Sequence, residues 1–442
     1  MSTTSLSLNP GTIAPFSNSD QPMKFLHAAD VHLDAQLRGL AAREGAPVEL
    51  LQRATRDAFR NLISLAVSEG VDFVVIAGDL FDRGWADTRT WLWAKQELQR
   101  LEVASIPVYL IRGNHDSLGD GAQRLSWPSN VHEFRGDQPE TMRIETLRVS
   151  LHGQSYSSRA VTEDLSANYP EAVPRDFNIG LLHTSLTGDA VHATYSPTTP
   201  ENLKLKGYDY WALGHIHGFQ RVQEEGPAIV FPGCTQGRHV NEPDAKGCVL
   251  VTVDDRHAVQ VEFRALDAVR WRRQTLHLQS EDGRDEFLVR AQSALADCQA
   301  QSEGRSLALR LELRGATACH HWLTSDAGQL EARAEVDSIA HSLGDIWVER
   351  LDVRTSPPID VAELRRSTDL LGELLRDLER LRSAEDDELL AIAQPAIAPL
   401  RSKLKSEMAA AETPFGQADQ IRGWLEQAEG LIVESLGREA AE

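Results

Sequence analysis

Apolar positions over the first 266 residues come in short unbroken runs separated by polar loops. Residues 24–29 (KFLHAA), 73–77 (FVVIA), 107–111 (PVYLI), 179–182 (IGLL), 210–213 (YWAL), 228–231 (AIVF) and 248–253 (CVLVTV) each have the length and composition of a strand. Continuous runs of this kind suit strands covered on at least one face. Residues 50–69 (LLQRATRDAFRNLISLAVSE) instead place Ala54, Ala58, Leu62, Leu65 and Ala66 on one side of a helix. Strand runs alternating with helical stretches predict a layered α/β domain over residues 23–266.

The rhythm changes after residue 266. Leu307, Leu309, Leu311 and Leu313 alternate with Arg310, Glu312 and Arg314, the pattern of a half-buried strand, and a second strand falls near residues 346–353. With helices before and after the first of these strands, residues 267–354 read as a small α+β cap domain. After Ser356-Pro357-Pro358 the chain turns helical: Leu371, Leu374, Leu378 and Leu381 form a stripe, and Ile421, Trp424, Leu425, Leu431, Ile432 and Leu436 form another. Residues 355–442 are therefore a helical region. Residues 1–22 have no Lys or Arg and no apolar core of signal-peptide length, so they read as a flexible tail without an export signal, with Met23 as an alternative start.

Composition narrows the function classes. The chain has 442 residues, of which 41% are hydrophobic, 25% charged and 6% aromatic, ordinary for globular protein and unlike collagen, low-complexity disorder or a disulfide scaffold. No apolar run approaches the ~18 residues of a membrane span. The four cysteines, Cys234, Cys248, Cys298 and Cys319, form no C-x-x-C pair, which argues against a zinc ribbon or dithiol redox site and favours a reduced cytoplasmic location. The net charge of −21 excludes a general cationic coat for nucleic acid. Residues 360–442 carry 18 acidic and 10 basic side chains, so part of that acidity is remote from the first domain and a local cationic site remains open.

Five short motifs fall at or just after the carboxyl ends of expected strands, where open α/β sheets place their ligands. They are Asp30-Val31-His32, Gly78-Asp79-Leu80-Phe81-Asp82, Gly113-Asn114-His115-Asp116, His183, and Gly214-His215-Ile216-His217. Singly, each has an ordinary reading: a solvated strand end, a Gly-Asp turn, a polar loop or a satisfied buried histidine. Jointly and in this order they read as a metal centre. Mixed oxygen and nitrogen donors suit Mn, Fe or Zn better than Mg or Ca. Asp30, His32, Asp79, Asn114, His183, His215 and His217 give about four protein ligands per ion in a dinuclear centre if one carboxylate bridges, and Asp79 is the best bridging candidate.

This order of motifs resembles the calcineurin-like metallophosphoesterase superfamily over roughly residues 23–266. The start KFLHAADVHLD is similar to the SbcD-like DNA-repair nuclease branch. The run from Phe231 to His239 (FPGCTQGRH), followed by Lys246-Gly247-Cys248, is similar to YhaO-type exonuclease-like proteins. The resemblance implies a layered β-sandwich core flanked by helices. It also implies two divalent ions, manganese before iron or zinc, with Asp30, His32, Asp79 and His217 on one and Asp79, Asn114, His183 and His215 on the other. Such ions outweigh the charge of Asp30 and Asp79 locally, polarise the phosphoryl oxygens and supply hydroxide near neutral pH. His115 is then placed to stabilise the transition state or protonate the leaving oxygen. Asp116 either orients that imidazole or caps the loop. Asp82 reads as a group supporting the ligands rather than as one of them, and Arg238 and His239 either meet the substrate phosphate or support His217.

The surrounding residues set substrate and partner. Arg38, Arg43, Arg53, Arg56, Arg60 and Arg83 either track a nucleic-acid backbone or solvate a helix face; Trp85, Trp91 and Trp93 either stack bases or pack in a core or partner contact. His27, His152, His192, His320 and His321 read as structural. The leucine stripe at 371–381 serves internal packing or, as the resemblance implies, docks an SMC-like coiled-coil ATPase; a homodimer is implied in the same way. The expected function is a DNA phosphodiesterase, exonuclease-like and acting in repair. The alternatives are a small-molecule nucleotide phosphodiesterase or phosphatase, and a mainly structural subunit of an ATPase complex.

Overall fold

The computed structural model describes residues 22–36, 45–82, 88–118, 126–186, 195–223, 226–358, 361–403 and 416–437. Expectations for residues 1–21 and for Arg38, Arg43, Arg83, Trp85 and His192 lie outside this set. By their internal contacts the residues form two units, the first drawn from residues up to 38, 48–238 and 244–269, the second from 39–47, 239–243 and 270–442.

The first unit contains β1 (Met23–Ala28), α1 (Val48–Glu69), β2 (Phe73–Ala77), α2 (Thr88–Val103), β3 (Val108–Ile111), β4 (Val131–Glu133), β5 (Glu140–Ile144), β6 (Val149–Gly153), β7 (Phe177–His183), α3 (Pro200–Leu205), β8 (Tyr210–Gly214), β9 (Gln220–Arg221), β10 (Ala228–Phe231), β11 (Gly247–Val253) and β12 (Val259–Ala265). They build two six-stranded sheets, ordered β12-β11-β1-β2-β3-β4 and β5-β6-β7-β8-β10-β9. β1 through β4 are parallel neighbours, as are β6, β7, β8 and β10. The sheets share a core in which Phe25, Phe73, Val75 and Ile111 meet Leu151, Ile179, Leu181 and Tyr210. Phe25 stacks on Phe73 at 4.8 Å and meets Tyr210 edge-on at 5.2 Å, arrangements that add to simple burial. Leu26, Val74, Ile76 and Leu110 point the opposite way, against Phe59 and Leu62 of α1 and Trp91 and Leu98 of α2. Strands buried on both faces explain the unbroken apolar runs of the sequence. This layered sandwich with flanking helices is the predicted α/β class.

His27 is a polar side chain within the sandwich. The His27 imidazole sits 2.9 Å from the Tyr210 hydroxyl and 3.1 Å from the Leu213 carbonyl oxygen. It is a satisfied core histidine, as the sequence suggests, and burial drives its pKa down to about 3. Folded His27 thus stays neutral while an unfolded chain takes up a proton below about 6.5. The protein therefore loses about 1.4 kcal/mol of stability per pH unit between roughly pH 6.5 and pH 3 through this residue alone. In urea titrations at pH 6.5 and pH 5, wild type is expected to lose about 2 kcal/mol more than His27→Gln. Equal losses would remove His27 from the acid sensitivity.

The second unit has the sheet β13 (Val269–His277), β14 (Ser306–Ala316) and β15 (Ile346–Ser356), with α4 (Arg284–Ala300), α5 (His320–Thr324) and α6 (Asp326–Leu343). Leu307, Leu309, Leu311 and Leu313 are buried against Phe287, Leu295, Val336 and Ala340 of α4 and α6, while Arg310 forks onto the buried Glu349 carboxylate at 2.9 Å. The same unit includes α7 (Val361–Arg366), α8 (Leu370–Arg382), α9 (Asp386–Lys403) and α10 (Ala418–Gly437). Leu371, the first residue of the stripe, packs with Leu375 of α8 against Val433 and Ile432 of α10, while Leu374, Leu378 and Leu381 are half-buried. No helix among the described residues is long and apolar enough to cross a membrane.

Candidate metal centre

Parallel neighbours deliver their carboxyl ends side by side. β1, β2 and β3 hand over residues 30–32, 79–82 and 113–116 from one sheet; β7, β8 and β10 hand over His183, residues 215–217 and the loop to Arg238 from the other. The first two loops are tied together where the Asp30 amide donates to the Gly78 carbonyl at 3.1 Å and the His32 amide to the Asp79 carbonyl at 3.0 Å. Asp30, His32, Asp79 and His215 have φ values of 50°, 47°, 53° and 103°. These left-handed conformations cost of order 1–3 kcal/mol each in non-glycine residues and persist only where the surroundings enforce them. Here they turn side chains from separate strands toward one place. The preceding glycines make the room: a Cβ on Gly113 would lie 2.3 Å from Asp79 Oδ1, and one on Gly214 1.9 Å from the Ala77 carbonyl oxygen.

The donors form two overlapping groups. In the first, His32 Nε2 lies 3.3 Å from His217 Nε2 and 3.8 Å from Asp30 Oδ1, and His217 Nε2 is 3.7 Å from Asp30 Oδ1. In the second, His183 Nε2 lies 2.9 Å from Asn114 Oδ1 and 3.5 Å from Asp79 Oδ2. Asp79 Oδ2 is also 3.9 Å from His32 Nε2, which puts this carboxylate between the groups. The His215 ring lies edge-on to His183, 5.4 Å between centroids, and its backbone amide donates to Asp30 Oδ2 at 2.9 Å. All seven residues expected as ligands are therefore drawn into one neighbourhood.

The donor set fits divalent cations. Asp30 Oδ1 is buried without a hydrogen-bond partner among the described residues, and such an orphaned acceptor calls for a counter-charge. Imidazole nitrogens and carboxylate oxygens spaced a little over 3 Å apart are what ligands of one ion about 2.0–2.2 Å away adopt. In the protein alone, burial pushes the Asp30 carboxyl up despite neighbouring imidazoles. Burial also opposes charge on His183, but Asp79 and Asp30 outweigh it and lift this imidazole to about 9. Asp79 has the opposite balance, with burial overcome by His183 and by the His115 amide, and falls to about 2. Burial, reinforced by the nearby Arg238 charge, keeps His32 well below its usual value and hence in the neutral form that ligates.

The other expected site residues have distinct positions. His115 is about two-fifths exposed, its amide donates to Asp79 Oδ1 at 2.9 Å, and its Nδ1 lies 2.7 Å from the Asp82 carbonyl oxygen. Asp116 does not orient that ring. Its carboxylate accepts from the Leu80, Phe81 and Gly113 amides at 2.9, 3.4 and 2.8 Å, so of the two readings open to it, the structure shows the loop cap, which fastens the second motif to the third. Burial, with Asp79 adding to it, raises Asp116 to about 6. The carboxylate facing His115 is Asp82, at 3.6 Å, and it also lies 3.4 Å from His32 Nδ1. Arg238 reaches Asp82 at 3.1 Å and His217 Nδ1 at 3.4 Å. His239 faces Glu242 at 3.7 Å, within the second unit.

Sequence reasoning did not single out Arg112. It forks onto Glu133 at 2.8 and 3.1 Å and reaches the Asp116 carbonyl at 3.4 Å, bracing the strand end just before Gly113-Asn114-His115. Its place directly ahead of that motif was the available signal. Among the described arginines, Arg53 pairs with Asp57, Arg56 forks onto Asp34, and Arg60 meets Asp57 and Glu97. Trp91 is buried in the core, while the Arg56 and Arg60 guanidinium groups lie 5.0 and 5.2 Å from the Trp93 ring. This helix face is balanced in charge.

Residues 23–219 match the calcineurin-like phosphoesterase family, and residues 271–356 match the middle domain of metallophosphoesterase YhaO. The chain is 34% identical to the metallophosphoesterase YhaO of Bacillus subtilis over 363 residues, 81% of this chain and 87% of that protein. It is 28% identical to the DNA double-strand break repair protein Mre11 of Sulfolobus acidocaldarius over 47% of this chain and 53% of that one, and 26% identical to its namesake in Methanopyrus kandleri over 54% and 56%. The chain thus spans about half the length of these two Mre11 proteins. A dimetal phosphatase from Danio rerio, 14% identical, covers 53% of this chain and 94% of its own with a TM-score of 0.33, a likeness too loose to bear on the chemistry.

Proposed function

Since this chain belongs to the calcineurin-like metallophosphoesterase family, with YhaO among its relatives, we propose that it hydrolyses DNA phosphodiester bonds in an exonuclease-like repair reaction supported by two manganese ions. The observation that carries the reading is the Asp79 carboxylate between two donor groups, with His115 bound to it through the backbone. When bound, the ions would neutralise the phosphodiester and furnish a nucleophilic hydroxide near neutral pH. Asp30, His32, Asp79 and His217 would hold one, and Asp79, Asn114, His183 and His215 the other.

The chain's own residues supply the rest. Asp79 fixes the His115 backbone, and the Asp82 carbonyl accepts from Nδ1–H, so that the ring in its doubly protonated form would pass the Nε2 proton to the departing oxygen and be left neutral. The repair names of the Mre11 relatives support DNA as substrate. The four cysteines, buried and outside any disulfide, fit a reduced cytoplasm. An SMC-like ATPase at the C-terminal helices and a homodimer complete the proposal by resemblance. Acting on small nucleotide phosphodiesters is the second reading, favoured by the net charge of −21 and by the paired arginines of α1.

With manganese, the protein is expected to release nucleotides from end-labelled duplex or single-stranded DNA, and a chelator is expected to stop the reaction. Hydrolysis confined to cyclic nucleotides and bis(p-nitrophenyl) phosphate would overturn the DNA reading.

A further inference from the structure

We propose that Arg238 is a positioning residue: it anchors Asp82, whose carboxylate faces His32 and whose backbone carbonyl engages His115 Nδ1, and so steadies both imidazoles at the reaction site. The inference rests on the phosphodiesterase reading of the site and adds to it a residue outside the ligand set.

The geometry converges on one oxygen. Asp82 Oδ1 lies 3.1 Å from Arg238 Nη1, 3.4 Å from His32 Nδ1 and 3.6 Å from His115 Nδ1, while the carbonyl oxygen of the same residue is 2.7 Å from His115 Nδ1. A neutral imidazole carries one N–H, so a ring whose Nδ1–H is turned to an acceptor offers a lone pair at Nε2. For His32 that nitrogen faces Asp30, Asp79 and His217. Asp82 Oδ1 is thus the carboxylate facing the back of a ligating histidine, close enough for an ion pair but outside hydrogen-bond geometry, and the carbonyl of the same residue engages the inner nitrogen of the candidate acid.

Such a carboxylate must itself be held. Asp82 sits in a loop, and its side chain is 15% exposed; unanchored, its carboxylate is free to rotate to water and leave His32 Nδ1 unfaced, and the loop that carries the carbonyl under His115 loses its tie to Arg238. Arg238 holds it from the loop after β10, with its other terminal nitrogen 3.4 Å from His217 Nδ1. A lysine ammonium would meet the Asp82 carboxylate only as a point charge.

Charge points the same way. Asp30 and Asp79 already give the pocket two carboxylates, and Asp82 would be a third close to an incoming phosphodiester. The guanidinium cancels that third charge on the spot, so the cations need answer only the first two. With both ends of the fork facing groups inside the site, Arg238 is placed to hold the site together rather than to grip substrate.

The test uses full-length wild type, Arg238→Gln, Arg238→Lys, Asp82→Asn and the Arg238→Gln/Asp82→Asn pair. Manganese is titrated into metal-stripped protein by calorimetry without substrate, and kcat and KM are measured on bis(p-nitrophenyl) phosphate. Arg238→Gln is expected to weaken manganese binding and lower kcat by about 10–100-fold with KM nearly unchanged. Arg238→Lys should fall between it and wild type, and the double variant should be little worse than either single one, because both act through one contact. A raised KM with unchanged kcat and manganese affinity would make Arg238 a substrate-gripping residue and overturn the proposal. So would full additivity, or a lowered melting temperature with unaltered binding and kcat. If Arg238→Gln does not fold, Arg238→Lys against Asp82→Asn carries the same comparison. Failure on DNA with intact manganese binding would sink only the substrate reading.

Discussion

His115→Asn is expected to lower kcat for manganese-supported DNA hydrolysis by about 10²–10⁴-fold while leaving the bound metal unchanged. The anchoring of this residue runs through its backbone, whose amide donates to Asp79 Oδ1, and asparagine keeps that bond. What disappears is the ring, with Nδ1 engaged by the Asp82 carbonyl and Nε2 left for the substrate. A DNA strand leaves as an alkoxide that needs a proton, whereas p-nitrophenolate leaves without one. The loss should therefore shrink markedly on the aryl diester. Equal losses on the two substrates would show that His115 acts by stabilising charge on phosphorus rather than by donating to the leaving group, and metal loss in the variant would make it a ligand.

Asp79→Asn should be more damaging still. One oxygen of this carboxylate receives the His115 amide, and the other stands between His32 and His183. The amide preserves the shape but removes the negative charge that two cations would share, a loss of several kcal/mol in charge stabilisation. Activity should fall by about 10³-fold or more, and metal analysis after gel filtration should show fewer ions retained than in wild type. Retention of the full complement with near-normal rates would mean that Asp79 does not bridge. Because Asp79 is also what lifts His183, the variant should show His183 titrating lower in the metal-free protein.

Much of this was legible in the chain because the strands that carry the site are the easiest to read. β2 is buried at all five positions, and its FVVIA run announces it. The motifs follow such runs directly, so their placement on one edge came from strand ends alone. The edge strands were not legible: β5 and β12 show one face to solvent, and Arg143 and Glu262 dilute the alternation of Met142, Ile144, Val261 and Phe263. Which groups Asp82 faces, and which of its two readings Asp116 takes, were hidden for another reason. Their directions depend on the left-handed backbone at Asp79 and on amides donated from a neighbouring loop, and no local pattern encodes either. Pro357-Pro358 marks a change of composition, yet the helices beyond it cluster with the cap sheet, because α10 contacts β15.

The donors hang from both layers of the sandwich: Asp30, His32, Asp79 and Asn114 from one, His183, His215 and His217 from the other. A cation seated among them would act as a rivet through two plates. Its affinity then becomes part of the protein's resistance to unfolding, growing as RT ln(1 + [L]/Kd) with free ion. Any slippage of one plate over the other would be felt first as a looser grip on the ion, long before the hydrophobic filling between them gives way.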